Sequence, residues 1–289
     1  MLHAVGSAGQ RPIYPYVHMY PTQVFEAELR YLSRHFSIVP LSRIVERCRR
    51  GERGRCREIA LTFDDGLRNN VTVGYPILRR LGLPATFFVC PGLIESERWQ
   101  WSYEMPVRLA HLSREERGDL FRRIGAPPEC IDGVMGWMRS LDTRARGTIE
   151  EHIRESTSRF RPTAAERYLF ETMTWQELAS LDPDLITVGS HSMSHPILTK
   201  TERGRITDEI VQSRRALQRK LQRPVDYFSY PDGAYDESVL KLVRHEYGAA
   251  VTTEARFVSA QDDVHLLPRI GAGEERVHDL AWRLHRPNS

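Results

Sequence analysis

Two short stretches of this chain bring together side chains that can hold a metal ion and move a proton. In Leu61-Thr62-Phe63-Asp64-Asp65-Gly66 an apolar run that begins at Ile59 stops at two adjacent carboxylates and a glycine. That is the pattern of a buried strand delivering both acids at its C-terminal tip. Two like charges side by side are costly unless a cation neutralises them. Far downstream a second apolar run, Leu185 to Val188, ends in Gly189 and then in Ser190-His191-Ser192-Met193-Ser194-His195-Pro196. Pro196 biases His195 away from helical backbone, so the histidine pair reads as a loop at a strand end and not as a helix face. Asp65, His191 and His195 then make a two-histidine, one-carboxylate set with positions open for water and substrate. Asp64 stays free to act as a base. Such a donor set suits one divalent ion, zinc first, with cobalt, nickel, iron or manganese compatible. Either motif alone is commonplace, an Asp-Asp-Gly turn or a polar histidine pair; both at strand ends point to a site.

The elements that must position these groups follow a repeating order. A helix over about Val73 to Leu81 leads to a strand, Ala85 to Val89. The histidine strand, Ile186 to Gly189, is followed by a helix from about Arg205 to Leu221, with Ile206, Ile210, Leu217 and Leu221 as its buried stripe, and by a strand at Tyr227 to Tyr230. A helix near Glu237 to Tyr247 precedes the apolar Ala249 to Thr253, and Leu266 to Ile270 reads as a last strand. At the other end, Ile13 to Tyr20 reads as a first strand carrying His18, and Phe25, Leu29, Leu32 and Phe36 recur at helical spacing. Repeated strand–helix units build a parallel sheet or barrel with its site at the strands' C-terminal ends.

Between residues 99 and 173 the pattern breaks into charged, helical sequence without a convincing strand, including Arg114 to Arg123 and Thr148 to Ser158. This segment reads as a helical insertion in a single domain spanning 1–289. It leaves from a strand C-terminus, so it is expected to overhang the mouth and shape substrate choice. Trp99 and Trp101 at its start are candidates to stack on a sugar face, and helix packing is the competing role. Thr174-Trp175-Gln176-Glu177 reads as a capping box opening the helix before the histidine strand.

Composition sets the class. The chain has 289 residues, 40% hydrophobic and 27% charged, enough for one sizeable core. Net charge is only +3, and the arginines are interleaved with acids, which excludes a nucleic-acid footprint. The six arginines from Arg47 to Arg57 are expected in a solvated loop. No apolar run reaches the roughly 18 residues of a membrane span, and Met1 to Gln10 has no signal-peptide core, so a cytoplasmic protein without membrane partners is expected. Cys48, Cys56, Cys90 and Cys130 show no Cys-x-x-Cys spacing, against a zinc ribbon or redox motif. Oligomeric state is not legible.

Thr62-Phe63-Asp64-Asp65-Gly66 together with the histidine pair of Ser190 to Pro196 resembles the first two motifs of the polysaccharide deacetylases, the NodB-homology or carbohydrate esterase family 4 group. The resemblance runs from about Val17 to Gly271. It implies a distorted (β/α) barrel, usually counted as seven-stranded, and a metal-dependent hydrolase that removes acetyl groups from N-acetylhexosamine-containing glycans or sugar conjugates. Relatives with a similar start carry a Tyr-His pair where this chain has Val17-His18; His18 is a candidate to reach the cleft, with a buried structural histidine the competing role.

Phe228-Ser229-Tyr230-Pro231-Asp232-Gly233 resembles the third motif, with Asp232 in place of the usual aromatic and Ser229 near the usual arginine. There the backbone N–H near Tyr230 to Asp232 is expected to hold an oxyanion, and Asp232 to face the substrate. Leu267-Pro268-Arg269-Ile270 resembles the fourth motif, whose arginine holds the catalytic carboxylate, so Arg269 is expected on Asp64. Leu284-His285 matches the fifth motif in residue type; His285, His18 or protonated Asp64 are the candidates to protonate the leaving group. Two rival readings are a metal-dependent hydrolase of a small non-sugar amide, favoured by a narrowed cleft, and a silent carbohydrate-binding relative, disfavoured by the intact Asp64, Asp65, His191, His195 and Arg269.

Overall fold

In the computed structural model, which describes residues 1–6, 19–52, 57–127 and 130–272, nine short strands occur in chain order. They are β1 (Ala4–Gly6), β2 (Met19–Pro21), β3 (Ser37–Ile38), β4 (Glu58–Ile59), β5 (Leu61–Phe63), β6 (Ala85–Val89), β7 (Ile186–Ser190), β8 (Tyr227–Ser229) and β9 (Ala249–Val251). Strands β5 to β9 form one sheet in sequential order, every pair parallel. Parallel order demands a crossover between neighbours, and helices supply it, so all five C-terminal tips lie at one end. Strand β6 is buried at all five residues, as a strand covered on both faces must be.

The sheet curls into a barrel whose two remaining positions are held by single residues. Leu2 makes a parallel bridge to Phe63, and Leu267 makes one to Val251. The Met1 nitrogen donates to the Ile270 carbonyl at 2.9 Å, and Ala272 N–H donates to the Met1 carbonyl at 2.8 Å, joining the two edges. The expected last strand, Leu266 to Ile270, is reduced to that bridge because Pro268 has no N–H to continue a ladder. Of the expected first strand, Met19 and Tyr20 belong to β2, which pairs with β1, and Leu2 bridges to β5. Residues 7–18 lie outside the described residues.

The helices form where the apolar stripes require them. Helix Thr22–His35 buries Phe25, Leu29 and Leu32, and the Phe25 ring meets Phe63 of β5 edge-on at 5.9 Å. Helix Leu41–Arg50 contains Arg47, Arg49 and Arg50, which corrects the loop expected there; cations in a last turn suit the helix dipole, and Gly51 closes the helix at φ 59°. Arg47 pairs with Glu58 at 3.1 Å. The helix Trp175–Ala179 opens on a capping box of Thr174 and Glu177. Two π-turns interrupt the regular helices, at Asn70–Gly74 and Asp208–Gln212, and each lies beside one of the two motif loops.

Among the described residues, five helices fill the segment from Trp99 to Met173: Trp101–Ala110, Arg114–Arg123, Ile131–Ser140, Thr143–Ser156 and Ala164–Phe170. They bury a cluster of their own that includes Trp101, Met105, Leu120, Met138 and Ile153. A second cluster of Ala4, Leu67, Trp99, Tyr103 and Phe170 ties them to the barrel. Asn69 rivets the same junction: its Oδ1 accepts from Val5 N–H, and its Nδ2 donates to the carbonyls of Tyr168 and Leu169. Among the described residues no helix is long and apolar enough to cross a membrane.

Candidate metal and catalytic site

Because β5 and β7 run parallel with β6 between them, Asp64-Asp65 and the Ser190-to-His195 loop emerge side by side. Asp65 and His195 both adopt left-handed backbone, with φ of 73° and 58°. Asp and His are among the few non-glycine residues found there, at roughly 1–2 kcal/mol each. Gly66, at φ 66°, follows because a Cβ at this position would lie 3.1 Å from the Val89 side chain. Glu209, buried in the second π-turn, fastens the histidine loop: its carboxylate accepts from the Met193 and Ser194 N–H groups and from the Ser194 hydroxyl.

Asp65, His191 and His195 each offer a ligand atom, and these atoms all lie within 4.8 Å of one another. His191 Nε2 and His195 Nε2 are 3.5 and 3.4 Å from Asp65 Oδ1. The surrounding hydrogen bonds suit a cation at this point. His191 Nδ1 lies 2.8 Å from the Ser229 carbonyl, so the proton belongs on Nδ1 and Nε2 presents its lone pair. The Tyr103 hydroxyl donates to Asp65 Oδ2 and leaves Oδ1 facing the histidines. Three buried donors converge without a protein cation among them, which is the chemistry of a two-histidine, one-carboxylate centre.

Asp64 is turned toward Arg269, while its Oδ2 stays 3.9 Å from His191 Nε2. Arg269 Nη1 and Nη2 donate to its two oxygens at 2.7 Å each, and the Ser229 hydroxyl lies 3.2 Å from Oδ2. Burial alone would push this carboxyl up; the Arg269 and His191 charges and the Arg269 hydrogen bonds outweigh it and hold the group well below the usual carboxylate range. Asp65 is likewise held low, burial being overcome by its hydrogen bond to His191 and by the neighbouring histidines. Burial and the adjacent His191 push His195 down to about 4.

These groups floor a cavity of about 290 Å³. His3, brought in between Leu2 and β1, lines it beside Asp64 and Asp65, and burial pushes its imidazole down. The insertion contributes Gln100, Ser102, Tyr103 and Arg139 to the wall, and the turn after β8 contributes Asp232. Trp99 and Trp101 are not part of that wall. Trp99 packs against Phe160 and Phe170, and Trp101 is buried with the Arg146 guanidinium 4.4 Å from its ring centre, so the sugar-stacking role expected of them gives way to helix packing. Tyr230 lines the cavity, but its own donors are engaged elsewhere. Its N–H is used in the sheet, on the Val251 carbonyl, and its hydroxyl donates to the His265 carbonyl. The donor this turn retains is the N–H of Asp232, since Pro231 has none and those of Gly233 and Ala234 bond back to Tyr230 and Pro231. His18 and His285 lie outside the described residues.

Several of these groups carried no signal that sequence reasoning used. His3 sits in the short apolar run Leu2 to Gly6, which could have been read as a strand; Tyr103, Glu209 and Arg139 reach the site only through packing.

Across residues 51–250, two thirds of the chain, the sequence matches the family model described as polysaccharide deacetylase. The chain belongs to the polysaccharide deacetylase family. Membership implies a hydrolase of amides or esters. Solved structures agree in fold. The Streptococcus pyogenes deacetylase PplD in complex with acetate superimposes with a TM-score of 0.67 at 17% identity, covering 98% of this chain and 96% of that one. IcaB from Ammonifex degensii gives 0.62 at 15% identity, covering 98% and 95%. BC0361, a polysaccharide deacetylase from Bacillus cereus, gives 0.63 at 16%, covering 98% of this chain and 67% of that one. A comparison with curated protein sequences gave no match. In this chain the third-motif turn departs from the family pattern at Asp232, and Ser229 shares Arg269 with Asp64, the Arg269 Nη2 to Ser229 Oγ distance being 2.9 Å.

Proposed function

We propose that this polysaccharide deacetylase is a metal-dependent enzyme that hydrolyses N-acetyl groups of an N-acetylhexosamine-containing glycan or sugar conjugate, and that the same centre can cleave O-acetyl esters. The observation that carries the reading is the division of labour between two adjacent carboxylates, Asp65 turned to His191 and His195 and Asp64 turned to Arg269 at the floor of one cavity.

Asp65, His191 and His195 would hold a divalent cation, zinc being the first choice, which when bound polarises an acyl oxygen and acidifies water. Asp64, kept ionised by Arg269, takes the proton of the attacking water, a positioned base being worth about 10²–10⁴-fold in rate. The Asp232 N–H faces the developing oxyanion. Asp64, having taken the water's proton, returns it to the leaving nitrogen, and His3, neutral on the cavity beside both aspartates, is placed to relay it. Acetate leaves, and the amine is released with the proton that came from the attacking water.

Acetate release from N-acetylglucosamine oligomers and from a small O-acetyl ester tests this, with metal-loaded protein, chelated protein and Asp64→Asn. Release that needs metal and vanishes in the variant while metal still binds supports the reading; one bound metal per chain with no release overturns the substrate. The small volume of the cavity, about 290 Å³ behind the insertion, favours a second reading, a small non-sugar amide. Cleavage of small acetamides with no sugar activity would select it.

A further inference from the structure

We propose that Arg139 and Asp232 form a charge filter at the mouth of the cavity, a closed ion pair that admits uncharged sugar hydroxyls and rejects substituents of either charge; this rests on the deacetylase reading above. Arg139 stands at the end of the insertion helix Ile131–Ser140, and Asp232 on the turn after β8. Arg139 Nη1 and Asp232 Oδ2 are 2.8 Å apart, and both residues line the cavity.

Each partner is set in place from behind. Lys200 Nζ donates to the carbonyls of Arg139 and Ser140 at 2.8 and 2.9 Å, pinning the helix end. The Arg139 guanidinium lies 5.7 Å from the Trp101 ring centre. Asp232 adopts φ 54°, and Gly233 behind it, at φ 67°, presses on Thr253 so closely that a Cβ would lie 2.1 Å from its Oγ1. The side chains remain 47% and 30% exposed, so the pair is a rim that substrate meets and not part of the core.

The pair is neutral yet not saturated. Among the described residues Arg139 makes no other side-chain hydrogen bond and Asp232 Oδ1 makes none, leaving donors and an acceptor side by side. A hydroxyl both donates and accepts, so it can bridge the two without opening them. A carboxylate or phosphate that reaches the free Arg139 donors is held against the Asp232 carboxylate, and an ammonium that reaches Asp232 Oδ1 is held against the Arg139 guanidinium, so either charge meets a like charge at the rim.

Steady-state acetate release is measured on three N-acetylhexosamine oligomers: uncharged, carboxymethylated, and partly deacetylated so that neighbouring units carry ammonium. Wild type, Arg139→Gln and Asp232→Asn are compared, and binding of the same oligomers to Asp64→Asn protein is measured by calorimetry with and without each rim substitution. Asn tolerates the left-handed backbone at this position, so Asp232→Asn keeps the turn. The expected result is that Arg139→Gln raises KM for the uncharged oligomer roughly threefold to tenfold and lowers it for the ammonium form, and that Asp232→Asn lowers KM for the carboxymethylated form. Equal KM changes for all three oligomers, or a fall in kcat at constant KM, overturn the filter alone. Failure of wild type to cleave, and of Asp64→Asn to bind, any of the three overturns the deacetylase reading and the filter with it.

Discussion

Arg269 and Asp64, 205 residues apart in sequence, meet as a buried two-pronged pair, both guanidinium Nη atoms 2.7 Å from the carboxylate oxygens. The fork fixes which lone pairs of Asp64 point at the cavity, which a point charge cannot do. Arg269→Lys is expected to fold and to lose roughly 10–100-fold in kcat with little change in metal content. Arg269→Ala leaves a buried carboxylate without its partner and is expected to cost about 3–5 kcal/mol in stability. Denaturant unfolding and acetate release on the two variants separate these effects.

Chelation is expected to abolish acetate release and added divalent metal to restore it. At a metal concentration 100 times Kd, binding stabilises the folded chain by about 2.7 kcal/mol, so Tm falls on chelation in wild type. In His195→Ala the Tm should hardly respond to chelator. A calorimetric scan with and without metal decides.

Tyr103 reaches from the insertion to hold Asp65 Oδ2 while its ring stacks on Phe170 at 5.5 Å. Tyr103→Phe keeps the stack and removes the hydrogen bond. Metal affinity is expected to fall about 10–100-fold, measured by competition with a chromophoric chelator, with Tm of the metal-free protein nearly unchanged.

Glu209 holds the histidine loop by three hydrogen bonds. Glu209→Ala frees two part-buried backbone N–H groups, so both metal affinity and stability should drop, the latter by about 1–3 kcal/mol. Glu209→Gln, which can still accept but carries no charge, is expected to fall between Ala and wild type in the same two measurements.

Glu166 gives a pH signature away from the site. Burial opposes its ionised form, but the bond to His111 and those from Thr163 hold its carboxyl below the usual value. A depressed folded value means that the stabilisation is present above the unfolded pKa of about 4.3 and is lost as pH falls through the folded one. Wild type should therefore exceed Glu166→Gln in urea midpoint above about pH 5 and approach it at more acid pH.

Local pattern determined the parts of this protein whose chemistry is written in neighbouring residues. Strand β6 was readable end to end because a buried parallel strand is a continuous apolar run between a glycine turn and a proline. Asp64-Asp65 and the His191/His195 loop were readable because paired acids and histidines at apolar strand ends have few other uses, and motif order then gave the family. Tertiary structure decided what depends on distance through space. Leu2 and His3 reach the barrel and the cavity through a single bridge to Phe63, which only closure of the barrel makes. Trp99 and Trp101 went to the interior because large rings gain more from burial among the insertion helices than from standing in water, a difference sequence spacing does not encode. Tyr103, Glu209 and the Arg139–Asp232 pair are contacts between elements 15 to 93 residues apart, and only closure of the barrel with its insertion brings their side chains within hydrogen-bonding reach.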